Sequence, residues 1–258
     1  MEPSIADRTT CIGILGMGIM GSAIANQLTN AGWQIVGYDP NPNQQEIASE
    51  LGVDVRTSAA EVVQDAEIIL SSLPSDQALD ESVNVLDNTP GNSVRYVVEL
   101  STLTLECKSA NLKKLTALGI DFLDCPISGT GAQAQRGDAS IYVSGSETAY
   151  AFCQPVFEDF ACSRHYLGAF GNGTKMKFVA NLLVAIHNVA TAEAMLMGER
   201  CGLDPDVISK TIAAGAGTSR IFELRSPLMA NQAFLPATMR LDLWQKDMAL
   251  IAEFAAQM

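Results

Sequence analysis

Apolar residues fall in short runs over the first two thirds of the chain. Residues 11–15, 34–38, 66–73, 95–100, 120–124 and 139–144 each read as a strand. Helical spacing fills the gaps, in a segment closing near Ala31-Gly32 and over 44–51 and 104–118. Strands that alternate with helices predict βαβ units and a mostly parallel sheet. The pattern changes after Gly168. Residues 168–173 (GAFGNG) read as a flexible connection, and no strand pattern follows. Residues 174–201 predict one long helix, apolar nearly all round, hence buried, and closed by Gly202. Asp204-Pro205 is an N-cap and first-turn signal for the next helix, and helical pattern continues to the C-terminus. The expectation is an α/β domain over 1–170 followed by an all-α domain over 171–258.

Composition narrows what such a chain does. With 16 Lys and Arg against 29 Asp and Glu, the net charge of its 258 residues is −13. That disfavours nucleic acid and anionic membranes as partners, since both call for a basic surface. Hydrophobic residues make up 48% and charged ones 17%, so the chain has a core to bury. The most apolar stretch, 178–198, is broken by Asn181, His187, Asn188, Thr191 and Glu193, which argues against a membrane span. Glu2 and Asp7, with no basic region before an apolar run, argue against a secretory signal. Six cysteines without a C-x-x-C pair read as free thiols of a cytoplasmic protein. Two histidines are too few to make a His/Cys metal site the expectation.

The first strand runs into Gly16-Met17-Gly18-Ile19-Met20-Gly21, a G-x-G-x-x-G turn that opens a helix. Alone the motif is weak. Between a strand and a helix, with a second strand ending in Asp39, it reads as a dinucleotide fingerprint of a Rossmann-type, doubly wound sheet. Gly16 makes the turn, Gly18 admits the pyrophosphate, and Gly21 lets the helix pack on the sheet. Asp39 would accept from the adenosine ribose hydroxyls. No Arg or Lys occurs between Asp39 and Arg56, so a 2′-phosphate would meet a carboxylate and no local cation. The expected cofactor is NAD rather than NADP.

Ligands of an open α/β sheet bind beyond the carboxyl ends of its strands. Three such ends are polar or glycine-rich: Leu73-Pro74-Ser75, Ser101-Thr102, and Pro126 followed by Ser128-Gly129-Thr130-Gly131. Singly these are ordinary loop residues. Together, beside a dinucleotide turn, they read as the floor of a cofactor and substrate crevice. On the long helix Lys177 and Asn181 share a face. Lys177 is flanked by Met176, Phe178 and Val179, and apolar surroundings lower an amine's pKa and fit it for acid/base work. A lysine snorkelling from a helix start is the commoner case, and Lys175 is the competing candidate. Lys246-Asp247 reads as a charged pair on a solvated helix face.

Taken in order, these motifs resemble the β-hydroxyacid dehydrogenases, the group of 3-hydroxyisobutyrate dehydrogenase, semialdehyde reductases and the 6-phosphogluconate dehydrogenase-like enzymes. The glycine turn resembles the family's N-terminal signature. Phe122-Leu123-Asp124-Cys125-Pro126-Ile127-Ser128-Gly129 resembles its substrate loop. Gly171-Asn172-Gly173-Thr174-Lys175-Met176-Lys177-Phe178-Val179-Ala180-Asn181 resembles its catalytic helix start, and Lys246-Asp247 its late Lys-Asp pair. The resemblance implies Lys177 as the acid/base on the substrate hydroxyl, with Ser128, Gly129, Thr130 and Asn181 positioning the substrate. It implies cofactor contacts from Leu73, Pro74, Thr102 and Lys246. It also implies a further helix or two beyond Met258. The long apolar helix needs covering surface, and burial by a partner chain is the usual solution, so a homodimer or homotetramer is expected.

The chain departs from the family pattern in two places. Ser-Gly-Gly is here Ser128-Gly129-Thr130, which suggests a more polar acid. D-x-S-T-x-x-P is here Glu99-Leu100-Ser101-Thr102-Leu103-Thr104-Leu105, without the Asp or the Pro. The expected substrate is a small hydroxy acid or its semialdehyde. An imine reductase is the first rival, disfavoured by Lys177, and a non-catalytic dinucleotide-binding module is the second.

Overall fold

A computed structural model describes residues 5–235 and 241–258. Glu2 of the N-terminal reading, and residues 236–240 of the expected C-terminal helices, lie outside the described residues. The chain divides into two compact units between Lys177 and Phe178.

The first unit alternates strands and helices in chain order. These are β1 (Cys11–Leu15), α1 (Ile19–Asn30), β2 (Gln34–Tyr38), α2 (Pro42–Glu50), β3 (Asp54–Val55), α3 (Ala59–Asp65), β4 (Ile68–Ser71) and α4 (Asp76–Asp87). They continue as β5 (Tyr96–Glu99), α5 (Leu105–Ala117), β6 (Asp121–Asp124), β7 (Ile127–Ser128), α6 (Gly131–Gln135), β8 (Ser140–Val143), α7 (Glu147–Phe160) and β9 (Ser163–Tyr166). Six strands form one parallel sheet in the order β3-β2-β1-β4-β5-β6. The reversal of direction between β1 and β4 is the switch point of a Rossmann fold. A three-stranded sheet, β7-β8-β9, joins it through the Asp124–Ser144 bridge.

Alternation along the strands explains why both faces of the large sheet are covered. Ile68, Leu70, Tyr96, Val98 and Leu123 point into one core, with α1 and α7 residues such as Leu28 and Phe157. Ile69, Val97 and Phe122 point into the other, with Val62, Leu79 and Leu115 from α3, α4 and α5. The register aligns Leu15, Ser71, Glu99 and Asp124 across neighbouring strands. All four stand at carboxyl ends, so the loops that follow them leave from one edge.

Helix α8 (Asn172–Arg200) begins inside the glycine segment expected to be a flexible connection. It closes at Gly202, whose φ is +82°, with Leu203 N–H donating to Gly198 O at 3.0 Å. From Phe178 onward it belongs to the second unit, with α9 (Pro205–Ala213), α10 (Arg220–Ala230) and α11 (Leu241–Ala256). No strand follows Gly168 among the described residues. Met195, Ile208 and Phe222 form the unit's small core, and the Phe178 and Phe254 rings pack 5.3 Å apart.

The expected burial of the long helix is corrected. Val179, Leu182, Leu183, Ile186 and Val189 are 44–59% exposed, and their spacing of three and four makes them one stripe. An all-round apolar pattern says that a helix wants cover, not that its own chain provides it. By length and composition α8 is also apolar enough to cross a bilayer, with a mean hydropathy of 1.4 in its most apolar window.

Candidate active site

The glycine turn occupies the carboxyl end of β1. Gly16 has φ +87°, and a Cβ there would fall 2.3 Å from Ser72 O; at Gly21 it would fall 2.0 Å from Gly16 O. No other residue fits either position, and the turn is drawn tightly against the β4 loop. Gly18 caps α1 with no side-chain hydrogen bond, and nothing lies within 4 Å of the Cβ it lacks. The caps of α2 to α7, α9 and α10 are Asn41, Ser58, Ser75, Thr104, Thr130, Ser146, Asp204 and Ser219, each accepting from a helix amide. Uncapped donors in open space at the positive end of a helix fit a pyrophosphate, so the residues present suit a dinucleotide.

Asp39 follows β2 at the same edge and is 8% exposed. Its Oδ2 accepts from Met17 N–H and its Oδ1 from Asn41 N–H, both at 2.8 Å. The carboxylate is thereby held against the glycine turn. Arg56, the next cation along the chain, is paired with Asp54 and Asp65 at 3.0 and 2.8 Å.

The loops after β4 and β5 are stitched together. Leu73 N–H donates to Ser101 Oγ at 2.7 Å, and Thr104 Oγ donates to Asp76 Oδ2 at 2.5 Å. This places Leu73, Pro74 and Thr102 side by side on the edge that carries Gly16 to Gly21. Glu99 accepts from Ser101 N–H at 2.7 Å and from the Ser71 hydroxyl. The glutamate in place of the family's aspartate thus still fixes the turn before Thr102. Burial raises the Glu99 carboxyl above its ordinary range, against the opposing charge of Lys108.

Ser128 ends β7, and Gly129 and Thr130 follow at the start of α6. The Thr130 hydroxyl, expected to meet a polar acid, caps α6 in a reciprocal pair with Gln133. A Cβ on Gly131 would fall 2.3 Å from Ile19 Cγ2, and Gln27 Nε2 donates to Gln135 O. The loop expected to meet the substrate is therefore packed on the helix that carries the glycine turn.

Lys177 stands in the second turn of α8 and is 8% exposed. The helix start is locked to the first unit. Thr174 N–H donates to Asp124 Oδ2 at 2.8 Å, Thr174 Oγ to Asp124 Oδ1 at 2.6 Å, and Gly173 N–H to Ser144 Oγ at 2.9 Å. Lys175, the competing candidate, is exposed, with Nζ 3.4 Å from Asn172 Oδ1. In the second unit Asn181 Nδ2 donates to Asp247 Oδ2 at 3.0 Å, and Lys246 Nζ lies 3.8 Å from Asp247 Oδ1.

Nothing in the sequence marks out Lys108, and Asp124 stands out only as part of a motif. Lys108 sits on α5 among Lys113 and Lys114 and looks like another solvated lysine. Only the parallel register shows that its position faces the end of β6.

A Rossmann sheet with a dinucleotide turn, in a unit that ends on a buried lysine and is followed by a helical one, defines a class of nicotinamide-dependent oxidoreductases. The profile described as the NAD-binding domain of 6-phosphogluconate dehydrogenase matches residues 11–168. That described as NAD-binding of NADP-dependent 3-hydroxyisobutyrate dehydrogenase matches 171–258. The chain is 32% identical to mouse mitochondrial 3-hydroxyisobutyrate dehydrogenase over 83% of its own length and 64% of the mouse protein's. It is 29% identical to the chloroplastic glyoxylate/succinic semialdehyde reductase 2 of Arabidopsis thaliana, over 99% of its own length and 73% of that protein's. The structure of Mycobacterium tuberculosis 3-hydroxyisobutyrate dehydrogenase with L-serine superposes with a TM-score of 0.87 at 27% identity, covering 96% of this chain and 87% of that one. The chain belongs to the β-hydroxyacid dehydrogenase family.

Proposed function

We propose that this protein transfers a hydride between NAD and the hydroxyl-bearing carbon of a small 3-hydroxy acid, or reduces the matching semialdehyde. The observation that carries the reading is the seating of α8. Asp124 holds the first turn at the carboxyl end of β6, so Lys177 stands one turn beyond the edge that bears the dinucleotide turn. When bound, the dinucleotide supplies the hydride acceptor or donor. A hydroxyl that loses hydride from its carbon must also lose its proton, and Lys177 takes that proton from the oxygen and returns it in the reverse direction. Ser128, Gly129 and Thr130 orient the acid. Leu73, Pro74 and Thr102 line the cofactor. L-Serine, found with the mycobacterial relative, carries a hydroxyl β to its carboxylate, as a 3-hydroxy acid does.

The preference for NAD rests on Asp39. A 2′-phosphate would approach a carboxylate held in place by two amides, while Arg56 is engaged by two other carboxylates. The exposed stripe of α8 supports assembly into a homodimer or homotetramer, since a second copy is the usual cover for such a surface.

Steady-state reduction of NAD by the intact chain, with a panel of small 3-hydroxy acids, tests the reading. Turnover with at least one acid is expected. Tight NAD binding without turnover across the panel would overturn it in favour of a non-catalytic dinucleotide-binding module.

A further inference from the structure

Lys108 lies in the first half of α5, on no segment that the proposed chemistry uses, and is 0% exposed. An ammonium taken wholly out of water is costly unless each of its three donors finds a partner. Here all three do. Nζ donates to Ser101 O at 2.8 Å, to Asp124 Oδ1 at 2.7 Å and to Thr174 Oγ at 3.1 Å. The three acceptors come from three segments: the loop after β5, the end of β6 and the first turn of α8. Asp124 is as fully used. Oδ1 takes Lys108 and the Thr174 hydroxyl, and Oδ2 takes the Thr174 amide and the Ser144 hydroxyl at 3.2 Å.

Stability alone does not account for this arrangement. Apolar side chains of similar volume often replace a buried ion pair without loss. A saturated polar cluster instead supplies geometry, because only one placement of its segments satisfies every donor and acceptor. The backbone leaves no slack either. A Cβ on Gly173 would fall 2.5 Å from Tyr142 O and 2.6 Å from Asp124 O. The start of α8 cannot slide along β6 without breaking the cluster.

We infer that Lys108 is a positioning residue for the reaction: its ammonium fixes the first turn of α8 against the loop that carries Thr102, and so sets where Lys177 meets the substrate hydroxyl. The inference rests on the reading of Lys177 as the acid/base. It assigns work to a residue that acts on Lys177 only through the first turn of α8.

Lys108→Met removes the ammonium at similar length. Lys108→Met with Asp124→Asn also removes the carboxylate that would be left short of a partner, and serves where the single change fails to fold. Displacing Lys177 by about 1 Å is expected to lower kcat roughly tenfold to a hundredfold. KM for the acid and the Kd of NAD, measured by titration, should stay within about twofold, since the ground-state contacts are elsewhere. Amide hydrogen exchange should quicken over residues 174–177 and stay unchanged in β1 and β4. In a Lys177→Met background the Lys108 change should have little further effect on kcat, because the two act through one step.

An equal loss of kcat in both backgrounds would overturn the inference and leave the role of Lys177 standing. So would a raised KM with kcat intact, an unchanged kcat, or failure of both variants to fold. If Lys177→Met alone leaves kcat unchanged, the acid/base reading fails and the inference goes with it.

Discussion

Thr174 and Asp124 stand fifty residues apart in sequence and are joined twice, amide to Oδ2 at 2.8 Å and hydroxyl to Oδ1 at 2.6 Å. Both residues are 0% exposed, so no water replaces either bond. Thr174→Val keeps the shape and removes the hydroxyl. It also leaves Lys108 with one acceptor fewer. The expected cost is about 1–3 kcal/mol of unfolding free energy, the range for a lost hydrogen bond to a buried charge. Denaturant unfolding of the two proteins side by side measures it, and a difference near zero would mean that the helix start is held by its backbone bonds alone.

Asp39 makes a prediction about cofactor choice. Its carboxylate is fixed beside the glycine turn by Met17 and Asn41 N–H, so it cannot swing away from a 2′-phosphate. NAD should be used with the higher kcat/KM. Asp39→Ala combined with Pro40→Arg removes the negative charge and adds a cation, and should move the ratio towards NADP. Equal efficiencies for the two cofactors in the unmodified protein would defeat the argument.

Glu99 makes stability depend on pH in an unusual direction for a carboxylate. Burial raises its carboxyl above the ordinary 4.5, although Lys108 opposes the shift. A group that holds its proton more tightly when folded contributes its stabilisation fully below its unfolded pKa. That contribution is lost as pH climbs through the raised folded value. Glu99→Gln retains an acceptor for Ser101 N–H and does not titrate. The variant's melting temperature relative to the parent should therefore rise as pH climbs above that ordinary 4.5. A difference that stays flat above that value would show that the carboxyl titrates as an ordinary one.

The stripe on α8 predicts the state of assembly. Leu183, at 50% exposure, lies between Val179 and Ile186 on the apolar face. Leu183→Glu puts a charge into any interface built there and costs nothing in solvent. Light scattering across a micromolar concentration series should give a multiple of the 27.4 kDa chain for the parent and a lower mass for the variant. A parent that is monomeric throughout would rule the interface out.

What the sequence made legible was whatever is written locally. The strand, turn and helix around Gly16 to Gly21 lie within one short stretch, and the second strand delivers Asp39 directly. Strands β4 and β5 are buried throughout, and β1, β2 and β6 are exposed or half-buried only at their ends, so the short apolar runs at their centres are a sufficient signal. The two-residue strands β3 and β7 carry no period to detect. Helix α4 (DQALDESVNVLD) is mostly polar, and Ser75, its cap, reads locally as ordinary loop chemistry. The Lys108–Asp124–Thr174 cluster is beyond any local reading. Its members are separated by 16 and 50 positions, and only the order of strands in the sheet brings them together. The exposed face of α8 is the surface for which the sequence predicts a partner subunit: a pattern of apolar residues records the need for cover and not which residues remain uncovered within one chain.

Lys177 carries the sharpest prediction. The reaction requires a base at the substrate oxygen, and a positioned one typically contributes on the order of 10²–10⁴ in rate. Lys177 is buried to 8% exposure, one turn beyond the Asp124 clamp, while Lys175 is exposed beside Asn172. Lys177→Met keeps the length and apolar packing of the side chain and removes the amine, so kcat should fall by roughly that factor of 10²–10⁴. The Kd of NAD should change little, because the uncapped start of α1, and not this helix, is the proposed seat of the phosphates. Lys175→Met should be nearly silent. A large loss in Lys175→Met with near-normal turnover in Lys177→Met would move the assignment by two residues. Full activity in both would remove this helix from the proton transfer, and with it the reason for locking its first turn to β6.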